Sequence, residues 1–204
     1  MAEAALELIG ERGLEALTLR ALGQATGMHH TAVYRHFHNR NDVLAAVNAL
    51  VVERGLLVSG QLPDDPRERV LALIRGLRSA MREHPAVTPS ILQPDAAVAH
   101  SQAVLDFQDL VISALSDLGL TGHALLVHHR MLESFALGAS VFDFGGAPAH
   151  LESRRQRMRQ ISDPVFEAVS RDEASIDALN EEAFDRALVL LVDVCVASGV
   201  AASA

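Results

Sequence analysis

The sequence predicts an all-α fold, and three observations support that prediction. Apolar residues recur at helical spacing along nearly all of the 204 residues. No segment alternates apolar and polar residues with the period of two that is typical of a strand. Half of the residues (50%) are hydrophobic, which is enough to fill the core of one or two helical domains.

Four helices are predicted in the first fifty residues, where they would form a compact head. Thr18 and Asn39 precede two of them as N-caps, and Asp42 follows Asn39 by three residues, as in a capping box. Gly13 ends the first helix, and Gly27 supplies the tight turn between the second and the third. The predicted helices cover about residues 2–12, 18–25 and 29–36, and the fourth follows residue 39.

A proline-bounded polar break over Leu62–Pro66 separates this head from a larger helical body. We therefore predict two domains, residues 1–50 and residues 51–204. The segment from 149 to 177 is the least regular, and Pro164 is expected to open a short helix within it. The predicted body helices cover about residues 66–83, 95–118, 121–143 and 178–198.

The charge distribution marks the head as the part of the chain that meets nucleic acid. The formal net charge is -9, yet the stretch 16–41 contains no Asp or Glu. That stretch carries three arginines and four histidines. A locally basic segment on an acidic protein is the electrostatic footprint of DNA binding, while the acidic remainder is repelled by DNA.

The head also has a specific residue pattern that resembles the TetR family of bacterial transcriptional regulators. The resemblance covers about residues 1–50 and fixes residue types across four helices. It rests on the runs Leu17-Thr18-Leu19-Arg20-Ala21-Leu22, Gly27-Met28, Thr31-Ala32-Val33-Tyr34-Arg35-His36-Phe37 and Arg40-Asn41-Asp42-Val43-Leu44. It implies an N-terminal three- to four-helix helix-turn-helix head on a C-terminal helical ligand-binding and dimerisation body.

The resemblance implies which side chains contact DNA. The third helix would enter the major groove, where its N-terminal residues can meet base edges. Phosphate contacts would come from the cap of the second helix, from an aromatic and a histidine late in the third, and from the start of the fourth. The expected DNA-binding residues are Thr18, Arg20, His29, His30, Thr31, Tyr34, Arg35, His36 and Arg40. His29 departs from the family, whose members usually carry a capping Ser or Thr there.

The two late helices, over 121–143 and 178–198, are implied to form a homodimer, and both are apolar over a broad surface. A small-molecule site is expected among the body helices. Candidate lining residues are Met81, Phe107, His128, His129, Met131, Phe135 and Phe142. The alternative for each Met and Phe is an ordinary place in the core, and the adjacent His128 and His129 cannot both face one pocket.

The expected function is a DNA-binding transcriptional regulator, a repressor released from its operator by a small-molecule inducer. The alternative is a regulator that acts mainly through a protein partner and has a vestigial head. No nucleophile arrangement or phosphate loop suggests an enzyme, and no cofactor is implied. His123 and His128 are five residues apart, which does not suit a metal pair on a helix. The lone Cys195 fits a reducing cytoplasm, and no membrane association is predicted.

Overall fold

The computed structural model describes residues 1–91, 101–142, 153–154, 156–158, 160–161, 164 and 175–203. Throughout these ranges the regular secondary structure is helical, as the sequence predicts, and none of the helices is long and apolar enough to cross a membrane. The predicted helix start near residue 95, and most of the segment 149–177, lie outside the described residues.

The head contains the four predicted helices and a short additional 3₁₀ turn. The helices are α1 (Ala2–Arg12), α2 (Leu19–Thr26), α3 (His30–Tyr34) and α4 (Arg40–Ser59), and the 3₁₀ turn covers Leu14–Ala16. Their buried side chains form one core, in which Ile9, Leu22, Val33 and Val47 are fully enclosed. This core fixes the position of α3 relative to α2.

The predicted caps and turn of the head are confirmed. The Oγ1 atom of Thr18 accepts a hydrogen bond from the backbone N–H of Ala21 at 3.0 Å. The Oδ1 atom of Asn39 accepts one from the N–H of Asp42 at 2.9 Å. Gly27 ends α2 with a φ of 68°, a left-handed conformation that glycine adopts without strain. These local signals set where α2, α3 and α4 begin.

The body is built from helices that wrap a second core. They are α5 (Pro66–Glu83), α6 (Thr88–Ile91), α7 (Gln102–Asp117), α8 (Gly122–Phe142) and α9 (Ile176–Ser203). The core joins apolar side chains of α5, α7, α8 and α9, among them Leu73, Leu115, Leu132 and Leu188. Asp65 caps α5, and Pro66 occupies its first turn, where a missing N–H costs nothing.

The helix α4 belongs to both parts of the molecule. It runs without a break across residue 50, so the boundary expected there falls inside a continuous helix. Its partner α5 also reaches the head, because Ala80 and Met81 are buried in the same core as α1–α3. The contact between α4 and α5 therefore connects the head with the body.

The two helices approach each other most closely at a glycine. A Cβ atom built on Gly55 would lie 3.0 Å from the carbonyl oxygen of Gly76 and 3.0 Å from the Cα of Leu77. Both neighbours are backbone atoms of α5, which cannot rotate away as a side chain can. Gly55 is therefore the residue that permits the α4–α5 crossing.

A ladder of ion pairs fixes α9 against α5. As the arginine number rises along α5, the number of its acidic partner on α9 falls, so the two helices are antiparallel. The pairs are Arg67–Asp193 at 2.8 Å, Arg75–Asp185 at 2.9 Å, Arg78–Glu181 at 3.0 Å and Arg82–Asp177 at 3.1 Å. Exposed pairs of this kind contribute little stability one by one, but together they select one register.

A second polar contact links the head to the body through Arg54. Its Nη2 is 2.5 Å from the carboxylate of Glu3 on α1, and its Nη1 is 2.7 Å from Nε2 of His84 at the end of α5. Since a guanidinium can only donate, Nε2 must be unprotonated. Burial, and next the charge of Arg54, lower the pKa of His84 from its ordinary value, although Glu83 and Glu3 act in the opposite direction.

This contact predicts a stability that depends on pH. The lowered pKa of His84 means that the unfolded state binds the proton more readily, so the stabilisation is present above the unfolded pKa and is lost as pH falls. We expect wild type to lose more free energy of unfolding between about pH 7.5 and about pH 5.5 than His84→Gln, which keeps a neutral acceptor for Arg54. Urea titrations at both pH values measure the difference. Equal losses would show that His84 takes up its proton at the same pH in the folded and unfolded states.

Candidate nucleic-acid interface

The helix α3 presents a polar surface to solvent and an apolar one to the head core. Val33 is buried and Phe37 is half-buried against the core. Five of the expected DNA-binding residues on and around α3 are exposed to solvent, namely His29, Thr31, Tyr34, Arg35 and His36. His30 is the first residue of α3, and its side chain lies outside those that the structure describes. The packing of Val33 therefore leaves these five side chains on the solvent side of the head.

His29 occupies the N-cap position of α3 without capping it. Its Nδ1 is hydrogen-bonded with the hydroxyl of Thr31, and its side chain makes no cap bond to a backbone N–H. This agrees with the departure from the family pattern seen in the sequence. The start of α3 therefore receives no side-chain cap from His29, and a helix N-terminus favours an anionic partner.

The N-terminus of α2 carries two further candidates, Thr18 and Arg20. Both are exposed, and Thr18 already uses its hydroxyl oxygen to cap α2. Arg20 lies in the first turn, where the positive end of the helix dipole disfavours a cation. The placement is unfavourable for the isolated protein, and an exposed arginine at such a position is well suited to a phosphate or a base edge.

Arg40 has a structural role that the sequence did not indicate. Its Nε donates to the carbonyl of Leu17 at 3.1 Å, and its Nη2 donates to the carbonyl of Leu14 at 2.9 Å. These bonds fasten the start of α4 to the segment ahead of α2. The expected phosphate contact therefore competes with two internal acceptors for the same guanidinium, and it stays a prediction.

The candidate ligand residues of the body are not brought together. Met81 is buried among side chains of the head core, where its sulfur accepts from the hydroxyl of Ser140 at 3.5 Å. His128 is buried, with its Nδ1 2.7 Å from the carbonyl of Ala124 in the preceding turn of the same helix. Phe107 packs against the body core. Met81 and Phe107 thus lie in or against the hydrophobic cores, and His128 is buried within α8.

The other candidates differ from one another. His129 and Met131 are half-buried on α8. Phe142 ends α8, and its side chain lies outside those that the structure describes. Phe135 faces a cleft of about 470 Å³ between α5, α8 and α9, which also contains Arg78, Asn180 and Phe184. Only Phe135, of the predicted set, lines this described cleft.

Two polar residues of that cleft, Arg78 and Asn180, were not predicted from the sequence. Arg78 is only 5% exposed, although the other paired arginines of α5 are more exposed to solvent. Its guanidinium carbon is 4.1 Å from the centre of the Phe184 ring, which stacks on Phe135 with centroids 5.0 Å apart. The signal available in the sequence was the position of Arg78 four residues after Ile74, on the apolar face of α5.

The two late helices, α8 and α9, carry both buried and exposed apolar side chains. Phe184, Leu188, Val192 and Cys195 of α9 are buried in the core of their own chain. The exposed apolar side chains lie beside them. They are Leu126 and Val127 on α8, and Leu190, Val194 and Val200 on α9. These five residues are called the α8–α9 patch below.

A helix-turn-helix head with an outward polar α3, mounted through a shared helix on a helical body, defines a DNA-binding transcriptional regulator. Residues 2–47 match the family described as bacterial regulatory proteins, tetR family. The match covers α1 to α3 and the first part of α4.

Several known proteins are similar to nearly the whole chain. The chain is 26% identical over 200 residues to the tetracycline repressor protein class A from transposon 1721 of Escherichia coli, covering 93% of this chain and 86% of that protein. Apo ActR from Streptomyces coelicolor has the same fold, with a TM-score of 0.78, 20% identity and coverage of 98% and 95% of the two chains. BioQ bound to its double-stranded operator matches with a TM-score of 0.64 and 21% identity over 96% and 95%.

Proposed function

We propose that this chain is a repressor that binds operator DNA as a homodimer and leaves it when a small molecule binds the C-terminal body. The observation that carries the proposal is the exposed polar surface of α3, with Arg35 and His36 beside it and Arg20 on the neighbouring α2. The stretch that forms this surface contains no acidic residue between positions 16 and 41. An anion can therefore approach it without local repulsion.

The proposed contacts divide between bases and phosphates. His29, His30, Thr31 and Arg35 would meet base edges in the major groove, because they lie at or beside the ends of the short α3. Thr18, Tyr34 and His36 would contact phosphates, with Arg20 at either. Arg40 would join them only if it gives up one of its internal carbonyl acceptors. Base contacts set sequence preference, and phosphate contacts set register and salt dependence.

The homodimer is proposed to form through the α8–α9 patch. One head covers a half-site, so useful affinity needs two heads on a symmetric frame. Leu190 is 66% exposed and Leu126 is 62% exposed, on neighbouring helices. Large aliphatic side chains grouped in this way are typical of an interface between protein chains.

A charge placed in the patch tests the dimer. We expect Leu190→Glu to raise the dimer dissociation constant about tenfold or more, since it would bury a carboxylate without a partner. Sedimentation velocity measures the change. The matched control is Leu57→Glu on α4, where the side chain is 78% exposed and outside the patch. If the two substitutions changed the dimer dissociation constant equally, the α8–α9 patch would not be the dimer interface.

Release by a ligand needs only a modest coupling between body and head. A hundredfold loss of operator affinity corresponds to about 2.7 kcal/mol of differential binding between two conformations. The helix α4 is proposed as the lever, because it begins beside α3 and ends against α5. Among the relatives, ActR has been solved in complex with actinorhodin. That complex supports a ligand-binding body without naming the ligand of this chain.

The test is binding to the DNA upstream of the chain's own gene. We expect a mobility shift that weakens steeply with salt, since phosphate contacts release counterions. A scrambled fragment of equal length and composition is the control. If the protein binds no duplex fragment at low ionic strength, the head does not bind DNA. A regulator that acts through a protein partner would then be the better account.

A further inference from the structure

The cleft between α5, α8 and α9 has the composition of a small-molecule site. Its volume of about 470 Å³ lies within the usual range for ligand pockets of roughly 300–1,000 Å³. Most of its wall is apolar, with the Phe135 ring stacked on Phe184 at an interplanar angle of 17°. Few polar groups converge on it, which is also typical of ligand sites.

The side-chain amide of Asn180 supplies an unused hydrogen-bond donor. Its Nδ2 is buried and has no hydrogen-bond partner within the part of the chain that the structure describes. Asn180 also lines the cleft. A buried donor without an acceptor is unfavourable, so an acceptor brought by a ligand would remove that cost and favour binding.

The charge of the cleft selects the kind of acceptor. Among the described residues that line it, Arg78 alone is charged, and its guanidinium is almost fully buried. Its Nη1 donates to Glu181 at 3.0 Å, but that carboxylate is shared with Arg82. No acidic side chain lines the cleft among the described residues, so Arg78 is the charge that a ligand there would meet. A guanidinium offers five donors, and a carboxylate is the partner that matches it best.

We propose that this cleft binds a small aromatic carboxylate. Its carboxylate would accept from Asn180 Nδ2 and face Arg78, and its ring would pack on Phe135. The proposal rests on the proposed function of a ligand-responsive regulator, and it names the site and the ligand class. The site also touches both α5, which contacts the lever α4, and α9, which carries the dimer patch.

The experiment uses the full chain and 2-naphthoate as the probe, with 2-naphthylmethanol as the uncharged control. We expect calorimetry to show 2-naphthoate binding about tenfold or more tightly than the alcohol, because charge-assisted hydrogen bonds are the stronger ones. Asn180→Leu should weaken the binding of 2-naphthoate about tenfold. It should leave the melting temperature of the unliganded protein unchanged or higher, since it removes an unpaired buried donor.

A blocking substitution provides the second variant. Ser134 is exposed at the wall of the cleft, so Ser134→Phe should fill it and abolish probe binding. Ser113→Phe, at an exposed position of α7 away from the cleft, is the matched control. Binding that survives Ser134→Phe, or that is equal in wild type and Asn180→Leu, would overturn the proposal.

Two further outcomes separate this inference from the proposed function. If wild type binds its operator but not 2-naphthoate at millimolar concentration, the cleft is not an aromatic carboxylate site, while the repressor function stands. If, in addition, Ser134→Phe converts dimer to monomer, the cleft is filled by a second copy of the chain, which also overturns the proposal. If operator binding fails while 2-naphthoate still binds, the proposed repressor function is wrong and the proposed carboxylate site stands.

Discussion

Arg20→Glu is expected to lower operator affinity by on the order of a hundredfold while leaving the protein as stable as wild type or more so. Loss of one arginine contact to a base or phosphate costs about 1–3 kcal/mol, and the new carboxylate adds repulsion from the DNA backbone. The folded protein has the opposite preference. Arg20 stands in the first turn of α2, where a negative side chain is favoured by about 0.3–1 kcal/mol.

The opposite signs make this substitution decisive, because misfolding cannot imitate them. Affinity is measured by fluorescence anisotropy over a range of salt concentrations, and stability by urea unfolding. Arg130→Glu is the matched control, since it makes the same charge change at an exposed position of α8, where Arg130 pairs with the nearby Glu133. If both variants bind operator like wild type, Arg20 does not contact DNA.

Gly55→Ala is expected to destabilise the protein by about 2 kcal/mol, although alanine is the better helix former. The new methyl group would press against the backbone of α5 at Gly76 and Leu77, and either helix must move to admit it. Because α4 joins body to head, a displaced α4 should also weaken operator binding in the fraction that remains folded. Urea unfolding followed by circular dichroism measures the stability change.

Gly10→Ala is the matched control for Gly55→Ala. Gly10 also lies within a helix, but a Cβ built there meets no atom within 4 Å. Its replacement should raise the free energy of unfolding by roughly 0.5–1 kcal/mol, the ordinary gain of alanine over glycine in a helix. Two substitutions of identical chemistry would then change stability in opposite directions. If Gly55→Ala also stabilised, the α4–α5 crossing would not depend on the missing side chain.

Local signals in the sequence were sufficient for the head. Caps and tight turns depend on residues three or four positions apart, so Thr18, Gly27 and Asn39 could be assigned without knowledge of the fold. The same holds for the outward direction of Arg35, because the apolar Val33 and Phe37 must turn inward. Long-range partners could not be assigned in this way. Arg40 donates hydrogen bonds to carbonyls more than twenty residues away. The sequence showed that this residue is a cationic donor, but it did not show its acceptors.

The ligand cleft was the hardest part to predict, for a related reason. Its residues come from three helices that are distant in the sequence, and Arg78 and Asn180 look like surface residues when each is considered alone. Periodicity does separate buried from exposed positions along one helix, but it does not tell which buried aromatic faces a void. Met81 and Phe135 were equally good candidates for the ligand site in the sequence. In the fold, Met81 lies in the head core and Phe135 lies at the cleft.

The ion pairs between α5 and α9 restrict how this molecule can move. Partners on α9 at positions 177, 181 and 185 recur at four-residue intervals, close to one helical turn, which rises about 5.4 Å. A slide of α9 along α5 by half a turn would separate every pair at once, with Arg78 losing the neighbour that balances its buried charge. Gradual sliding of α9 along α5 is therefore disfavoured. The two helices are expected to move as one rigid body, which can tilt but cannot change its length.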